Sequence, residues 1–124
     1  MKITADLIDL SARFTNCLGE RQLELRGNKI PVVENLAITR DKYDTIDLSD
    51  NELRLLNNFP TLSNLTTLYC ANNFITKLDN DLVGRLPNLH TLVLTNNRLD
   101  DFDAITNLSL FPRLHTLSLV DNVV

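Results

Sequence analysis

Short stretches of alternating apolar and polar residues recur along the chain at fairly even intervals. In each stretch two apolar residues lie two positions apart, as Leu23 and Leu25 do on either side of Glu24. This period of two places the apolar side chains on one face of a short strand. An asparagine follows each stretch, and successive asparagines lie 23, 22, 24 and 25 residues apart, at Asn28, Asn51, Asn73, Asn97 and Asn122. The pattern predicts five strands, each followed by the same kind of turn.

The five stretches fit the frame L-x-x-L-x-L-x-x-N-x-L, which is typical of leucine-rich repeats. The matching positions are Glu20-Leu23-Leu25-Asn28-Ile30, Tyr43-Ile46-Leu48-Asn51-Leu53, Leu65-Leu68-Cys70-Asn73-Ile75, Leu89-Leu92-Leu94-Asn97-Leu99 and Leu114-Leu117-Leu119-Asn122-Val124. The predicted fold class is α/β: a leucine-rich-repeat solenoid, a short right-handed arc of parallel strands. We expect these strands near residues 22–26, 45–49, 67–71, 91–95 and 116–120.

The repeated asparagine has a structural explanation. It follows the strand where the chain turns away, and a short amide side chain can bond the backbone groups that a turn leaves open. Stacked repeats should align these amides in a ladder that satisfies backbone polar groups inside the arc. We therefore predict that Asn51, Asn73 and Asn97 are buried and bonded to the backbone.

Residues 1–124 are interpreted as one domain, in which residues 1–19 form an N-terminal cap. Leu7, Ile8, Leu10 and Phe14 supply apolar positions there, and Thr4 can cap the N-terminus of a short helix. Solenoids need caps at both ends. The sequence stops inside the fifth repeat, so we expect a missing or truncated C-terminal cap, an incomplete chain and a weak C-terminal end.

The concave face of the arc is expected to bind a partner, and its central column changes from acidic to apolar along the repeats. Glu24 and Asp47 should lie on adjacent strands and repel each other by about 3 kcal/mol at an effective dielectric near 20. A basic residue on an amphipathic partner helix would relieve this repulsion, although the two carboxylates can also be simply solvated. The candidate partner-binding residues are Gln22, Glu24, Arg26, Thr45, Asp47, Tyr69 and Val93.

The net charge of −4 disfavours tight autonomous nucleic-acid binding, which usually needs a basic surface. Arg21, Arg26 and Lys29 nevertheless form a local basic cluster. These side chains could contact RNA phosphates held by a partner, or they could balance Glu20 and Glu24.

Nothing in the sequence indicates catalysis, a cofactor or a metal. His90 and His115 should stack on adjacent repeats, but a zinc site needs at least three protein ligands, so surface histidines are the favoured interpretation. Cys17 and Cys70 are expected to be small buried side chains in a reducing compartment. No apolar run is long enough for a membrane span, and no signal peptide is recognisable, so we expect an intracellular protein.

Three segments resemble one family in particular. They are the opening residues Met1 to Ile8, Leu23 to Leu36 with its Leu25-Arg-Gly and Lys29-Ile-Pro signatures, and Ile46 to Leu53. They are similar to the A-prime proteins of the spliceosomal U2 small nuclear ribonucleoprotein. The resemblance covers essentially the whole chain, but Asn122-Val123 departs from the Asn-Pro usual in the family's last repeat.

The resemblance implies a nuclear, non-catalytic protein without a cofactor. In that family the arc holds a helix of an RNA-recognition-motif partner of the B-double-prime type, and the pair binds a stem-loop of U2 small nuclear RNA in pre-mRNA splicing. A different leucine-rich-repeat adaptor, such as a phosphatase regulator, is the alternative, because one fold can host many functions.

Overall fold

The computed structural model describes residues 2–100 and 102–123. Within this part it does not describe the side chains of Phe102, Ala104 and Ile105. The helices are α1 (Ala5–Leu10), α2 (Leu82–Arg85) and α3 (Phe102–Leu108), with a 3-10 turn at Leu36–Thr39. The strands are β1 (Arg13–Thr15), β2 (Arg21–Glu24), β3 (Thr45–Asp47), β4 (Leu55–Leu56), β5 (Thr67–Tyr69), β6 (Lys77–Leu78), β7 (Thr91–Val93) and β8 (Thr116–Ser118).

The main sheet has the strand order β1-β2-β3-β5-β7-β8. From β2 onward every neighbouring pair is parallel and in the register that the repeat frame predicts, so that Leu23, Ile46, Leu68, Leu92 and Leu117 align across the sheet. These five parallel strands are shorter than predicted, because each ends one residue before the second inward position, where the chain begins to turn toward the asparagine. The parallel, leucine-rich architecture is confirmed.

The N-terminal segment contains a strand that the sequence did not predict. β1 pairs antiparallel with β2, with Phe14 opposite Gln22, after a tight turn in which Gly19 has φ +79°. β1 therefore covers an edge of the sheet that would otherwise expose unpaired backbone groups. A second small sheet, the parallel pair β4–β6, runs along the return limbs and was also not predicted.

Helix α1 begins as the sequence predicts but buries fewer residues. The Leu7 N–H donates to Thr4 Oγ1 at 3.1 Å, and Leu7 and Ile8 are buried. The other two apolar positions of the cap stay outside the core, since Leu10 is 86% exposed and Phe14 is 44% exposed. A helix of six residues has fewer than two turns, so only one narrow stripe can face the core.

The asparagine ladder is confirmed at Asn51, Asn73 and Asn97, which are all buried. Asn73 Oδ1 accepts from the Leu53 N–H at 3.1 Å, and its Nδ2 donates to Leu48 O at 3.0 Å. Each amide thus accepts from the preceding repeat and donates to carbonyls of two repeats. The asparagines replace water as partners for backbone groups that the turns leave inside the protein.

The core is a continuous cluster of frame residues and return-limb side chains. Cys70 is fully buried within it, whereas Cys17 is exposed, so the prediction that both cysteines are buried is wrong for Cys17. The core thins toward β8, where Leu117 is 37% exposed. The last frame position, Val124, lies outside the described residues. In the described part of the chain, none of the helices has the length and apolarity that crossing a membrane would require.

Candidate partner-binding site

The site is built on the side of the sheet opposite the core, which is predicted to be concave and is called the open face below. Its central column is in register across the five parallel strands: Glu24, Asp47, Tyr69, Val93 and Ser118. A second column runs beside it: Gln22, Thr45, Thr67, Thr91 and Thr116. The structure therefore aligns the predicted acidic-to-apolar sequence of side chains on one surface.

Two candidate residues are buried although they occupy outward strand positions. Thr45 is 0% exposed and Asp47 is 8% exposed, so neither side chain is freely accessible on the open face. Each lies on β3, between neighbours on β2 and β5, and those of Asp47 are the longer Glu24 and Tyr69. Glu20 adds to the cover over Thr45, since Glu20 Oε1 lies 3.5 Å from Thr45 Oγ1. Gln22, Glu24, Tyr69 and Val93 are half-buried, and Arg26 is exposed.

Burial gives Asp47 a local structural role as well. Its Oδ1 accepts from the backbone N–H of Ser49 at 2.8 Å, a bond that helps to form the turn after β3. A substitution at Asp47 would therefore disturb this turn as well as the surface. Variants that test binding are better placed at Val93 or Glu24.

The acidic pair, Glu24 and Asp47, is electrostatically unfavourable in the absence of a partner. Desolvation by burial, and then repulsion from Asp47, raise the pKa of Glu24 above its ordinary value, although the Arg26 backbone N–H opposes this by hydrogen bonding to the carboxylate. Glu24 Oε1 is sealed from water and has no hydrogen-bond donor within residues 2–100 and 102–123. Among the oxygens of the pair, Glu24 Oε1 is thus a buried acceptor without a donor, and a cationic donor would stabilise it.

The predicted basic cluster is present but has different partners from those expected. Arg21 Nε lies 3.7 Å from Asp44 Oδ2, and Arg26 pairs with Asp50. Glu20 instead accepts from Thr66 Oγ1 at 3.0 Å. Of the two alternatives, balance by Glu20 and Glu24 is not seen as direct ion pairs, because the paired carboxylates come from the next repeat, although Arg26 still attracts Glu24. Both arginine side chains remain more than half exposed.

The two histidines lie side by side as the repeat register predicts. Their ring centroids are 6.3 Å apart, and the planes are tilted by 48°. In the part of the chain that the structure describes, no group of three or more metal-ligating side chains comes together.

A groove beside the open face was missed by sequence reasoning. It lies between α1 and the end of β2 and is lined by Asp6, Leu7, Leu10, Ala12 and Glu24, among other residues. Thr4, as an N-cap residue, allowed the sequence to predict the helix itself. The side of the sheet that the helix would approach depends on β1, which the sequence did not reveal.

Comparison with known families agrees with this architecture. The family model described as leucine-rich repeat matches residues 1–124. The chain belongs to the leucine-rich-repeat family.

Within this family the similarity extends to named relatives. The chain is 56% identical over 122 residues to U2 small nuclear ribonucleoprotein A' of Arabidopsis thaliana, covering 98% of this chain and 49% of that protein. It is 45% identical over 124 residues to the Homo sapiens protein of the same name, covering 100% of this chain and 49% of that protein. The resemblance to A-prime proteins is thereby confirmed. The chain spans about half the length of these curated relatives.

A solved structure shares the fold. The matching chain comes from the crystal structure of the Drosophila melanogaster SNF/U2A' complex, with a TM-score of 0.97 and 45% sequence identity. The match covers 100% of this chain and 71% of that chain.

Proposed function

We propose that this chain is a non-catalytic interaction subunit of the U2 small nuclear ribonucleoprotein, acting in the nucleus in pre-mRNA splicing. Its open face holds a helix of an RNA-recognition-motif partner of the B-double-prime type, and the pair binds a stem-loop of U2 small nuclear RNA. The observation that carries the proposal is the in-register column on the open face, which passes from two carboxylates to an aromatic and an aliphatic side chain. The A-prime relatives favour this function over that of a phosphatase regulator.

The chemistry of the column fits an amphipathic helix with a basic residue near one end. Tyr69 and Val93 are half-buried and offer apolar area to the stripe of such a helix. Glu24 and Asp47, at the other end of the column, would receive the cation. The rest of the proposed binding surface consists of Gln22, Arg26 and Thr45, of which the buried Thr45 contributes shape rather than direct contact.

RNA is held mainly through the partner in this proposal. The net charge of −4 disfavours independent binding to phosphates. Arg21, Arg26 and Lys29 are exposed at one end of the sheet and could add contacts once the partner positions the RNA. Because Arg21 and Arg26 already pair with carboxylates, we expect each to add little without the partner.

The test is the affinity for purified SNF, the protein that accompanies U2A' in the solved Drosophila complex. Val93→Asp places an unpaired charge in the apolar part of the column and should weaken binding by at least about tenfold, which corresponds to 1.4 kcal/mol. Val32→Asp makes the same change at a half-exposed valine on a return limb and should bind like the parent. Thermal melts of both variants show whether they remain folded. Equal affinities for parent, Val93→Asp and Val32→Asp would refute docking on the open face.

A second experiment separates the two candidate functions. The tagged chain is recovered from nuclear extract, and both the proteins and the RNA that accompany it are identified. The proposal requires U2 small nuclear RNA together with an RNA-recognition-motif protein, and the RNA should be lost when Val93→Asp replaces the parent. Recovery of a phosphatase catalytic subunit without U2 RNA would support the alternative.

A further inference from the structure

The groove between α1 and β2 has a volume of about 510 Å³ and adjoins the acidic end of the open face. Leu7, Leu10 and Ala12 give it an apolar wall, and Glu24 and Asp6 line it as well. Leu10 is 86% exposed although it belongs to this wall. The groove therefore combines a short aliphatic surface with carboxylates.

Most other polar groups of the groove already have partners within the chain. Thr4 Oγ1 accepts from the Leu7 N–H at 3.1 Å, and Ser11 Oγ donates to Leu7 O at 2.6 Å. The Arg26 guanidinium pairs with Asp50, and the Asn28 amide donates to Leu25 O at 3.0 Å. The carboxylate of Asp6 takes no hydrogen bond within residues 2–100 and 102–123. Asp6 thus adds an unpaired carboxylate to the groove. Arg26 offsets the charge of Glu24 only in part, since its guanidinium pairs with Asp50 and the pKa of Glu24 is still raised.

We propose that this groove receives one long basic side chain, lysine or arginine, from the protein partner that docks on the open face. Its methylene stem lies along Leu10 and Ala12, and its charged end is held between Asp6 and Glu24. The inference rests on the proposed function and adds the N-terminal cap to the binding surface, which would otherwise be limited to the strands.

Long basic side chains suit such a groove because their stems pack on apolar surface while the charged ends stay with polar groups. Glu24 and Asp47 lie side by side and repel each other, so a cation is bound more favourably here than at an isolated surface carboxylate. Burial of the Glu24 carboxylate raises its pKa, which agrees with this. Covering Leu10 adds hydrophobic stabilisation. A phosphate-bearing ligand is disfavoured, since Asp6 and Glu24 would repel it.

The experiment measures SNF affinity for two groove variants and two matched controls on the same cap. Leu10→Ala removes the exposed part of the apolar wall, and Leu18→Ala truncates a leucine of similar exposure (79%) that is not among the groove residues. Asp6→Asn removes one carboxylate, and Asp9→Asn makes the same change at an exposed aspartate of α1 outside the groove. All four substituted side chains are exposed or nearly so, and melts of each variant verify the fold.

We expect Leu10→Ala and Asp6→Asn each to weaken binding about three- to tenfold, with both controls within about twofold of the parent. The Asp6→Asn loss should shrink between 0.1 and about 0.5 M salt because exposed charges are screened, whereas the Leu10→Ala loss should persist. In methyl NMR spectra, SNF should shift the Leu10 signals and leave those of Leu18 in place.

The outcomes separate this inference from the proposed function. If both groove variants bind like their controls while Val93→Asp loses affinity, the groove is not occupied and the inference is overturned, but docking on the open face stands. If Val93→Asp binds like the parent, the proposed function fails, and the groove inference fails with it.

Discussion

Replacing Asn73 by alanine tests the ladder that holds successive repeats together, and the structure fixes which bonds would be lost. Asn73 Oδ1 accepts from the Leu53 N–H, and Nδ2 donates to Leu48 O at 3.0 Å, Cys70 O at 3.2 Å and Ala71 O at 3.3 Å. Asn73 is buried, so water does not readily replace the amide.

The losses are unequal, because the three carbonyls keep other donors. Leu48 O still accepts from Asn51 Nδ2 at 2.9 Å, and Cys70 O still accepts from Asn97 Nδ2 at 2.9 Å. Ala71 O keeps the Asp50 N–H at 2.9 Å. The Leu53 N–H is different: within the described residues its one acceptor is Asn73 Oδ1, which the substitution removes. One buried unpaired donor costs about 1–3 kcal/mol, so we expect Asn73→Ala to destabilise by about 2 kcal/mol.

Urea unfolding monitored by circular dichroism measures this change as a shift of the midpoint with an unchanged slope. Asn122→Ala is the control. It removes the equivalent amide from the last repeat, where Asn122 is half-buried and water can reach the freed groups, so we expect about 1 kcal/mol or less. A free energy of unfolding for Asn73→Ala within about 0.5 kcal/mol of the parent would refute the ladder as a stabilising device.

Three further predictions concern charge, thiol chemistry and local stability. Because the pKa of Glu24 is raised in the folded state, its ionised form disfavours folding above that pKa. The Glu24→Gln variant should therefore have a higher Tm than the parent at pH 7, and the difference in Tm should vanish below about pH 4. A difference in Tm that does not change with pH would contradict this. Burial raises the pKa of the Cys70 thiol, so a thiol reagent should label only Cys17 in the native protein and both cysteines in denaturant, as mass spectrometry can check. In the 124-residue chain, amides around the exposed Leu117 in β8 should exchange faster than those around the fully buried Leu68 in β5, and equal protection in a monomeric sample would count against this.

The repeat register could be predicted from sequence because it is a local property of the chain. A period of two fixes which side chains point to the core, and an asparagine at a constant offset marks the turn. The alignment of Glu24 with Asp47, and of Tyr69 with Val93, follows once the repeats stack in parallel. The frame thus predicted the order of residues in the central column of the candidate site.

Accessibility depends on how neighbouring repeats cover one another, which periodicity does not encode. Thr45 and Asp47 lie at outward positions, yet both are buried in the stacked repeats. Arg21 and Arg26 likewise pair with Asp44 and Asp50 of the following repeat, and not with the carboxylates nearest to them in sequence. Contacts between repeats depend on lateral packing, so sequence proximity is a poor guide to them.

By itself, the sequence determined the leucine-rich repeats, their parallel register and the buried asparagine ladder, since these follow from spacing and side-chain chemistry within each repeat. Only the tertiary structure decided that β1 closes the sheet edge, that Leu10 stays exposed and that a groove opens between α1 and β2. The physical reason is that the cap has no repeat to constrain it. Its conformation is selected by the edge it covers, which exists only once the repeats have stacked.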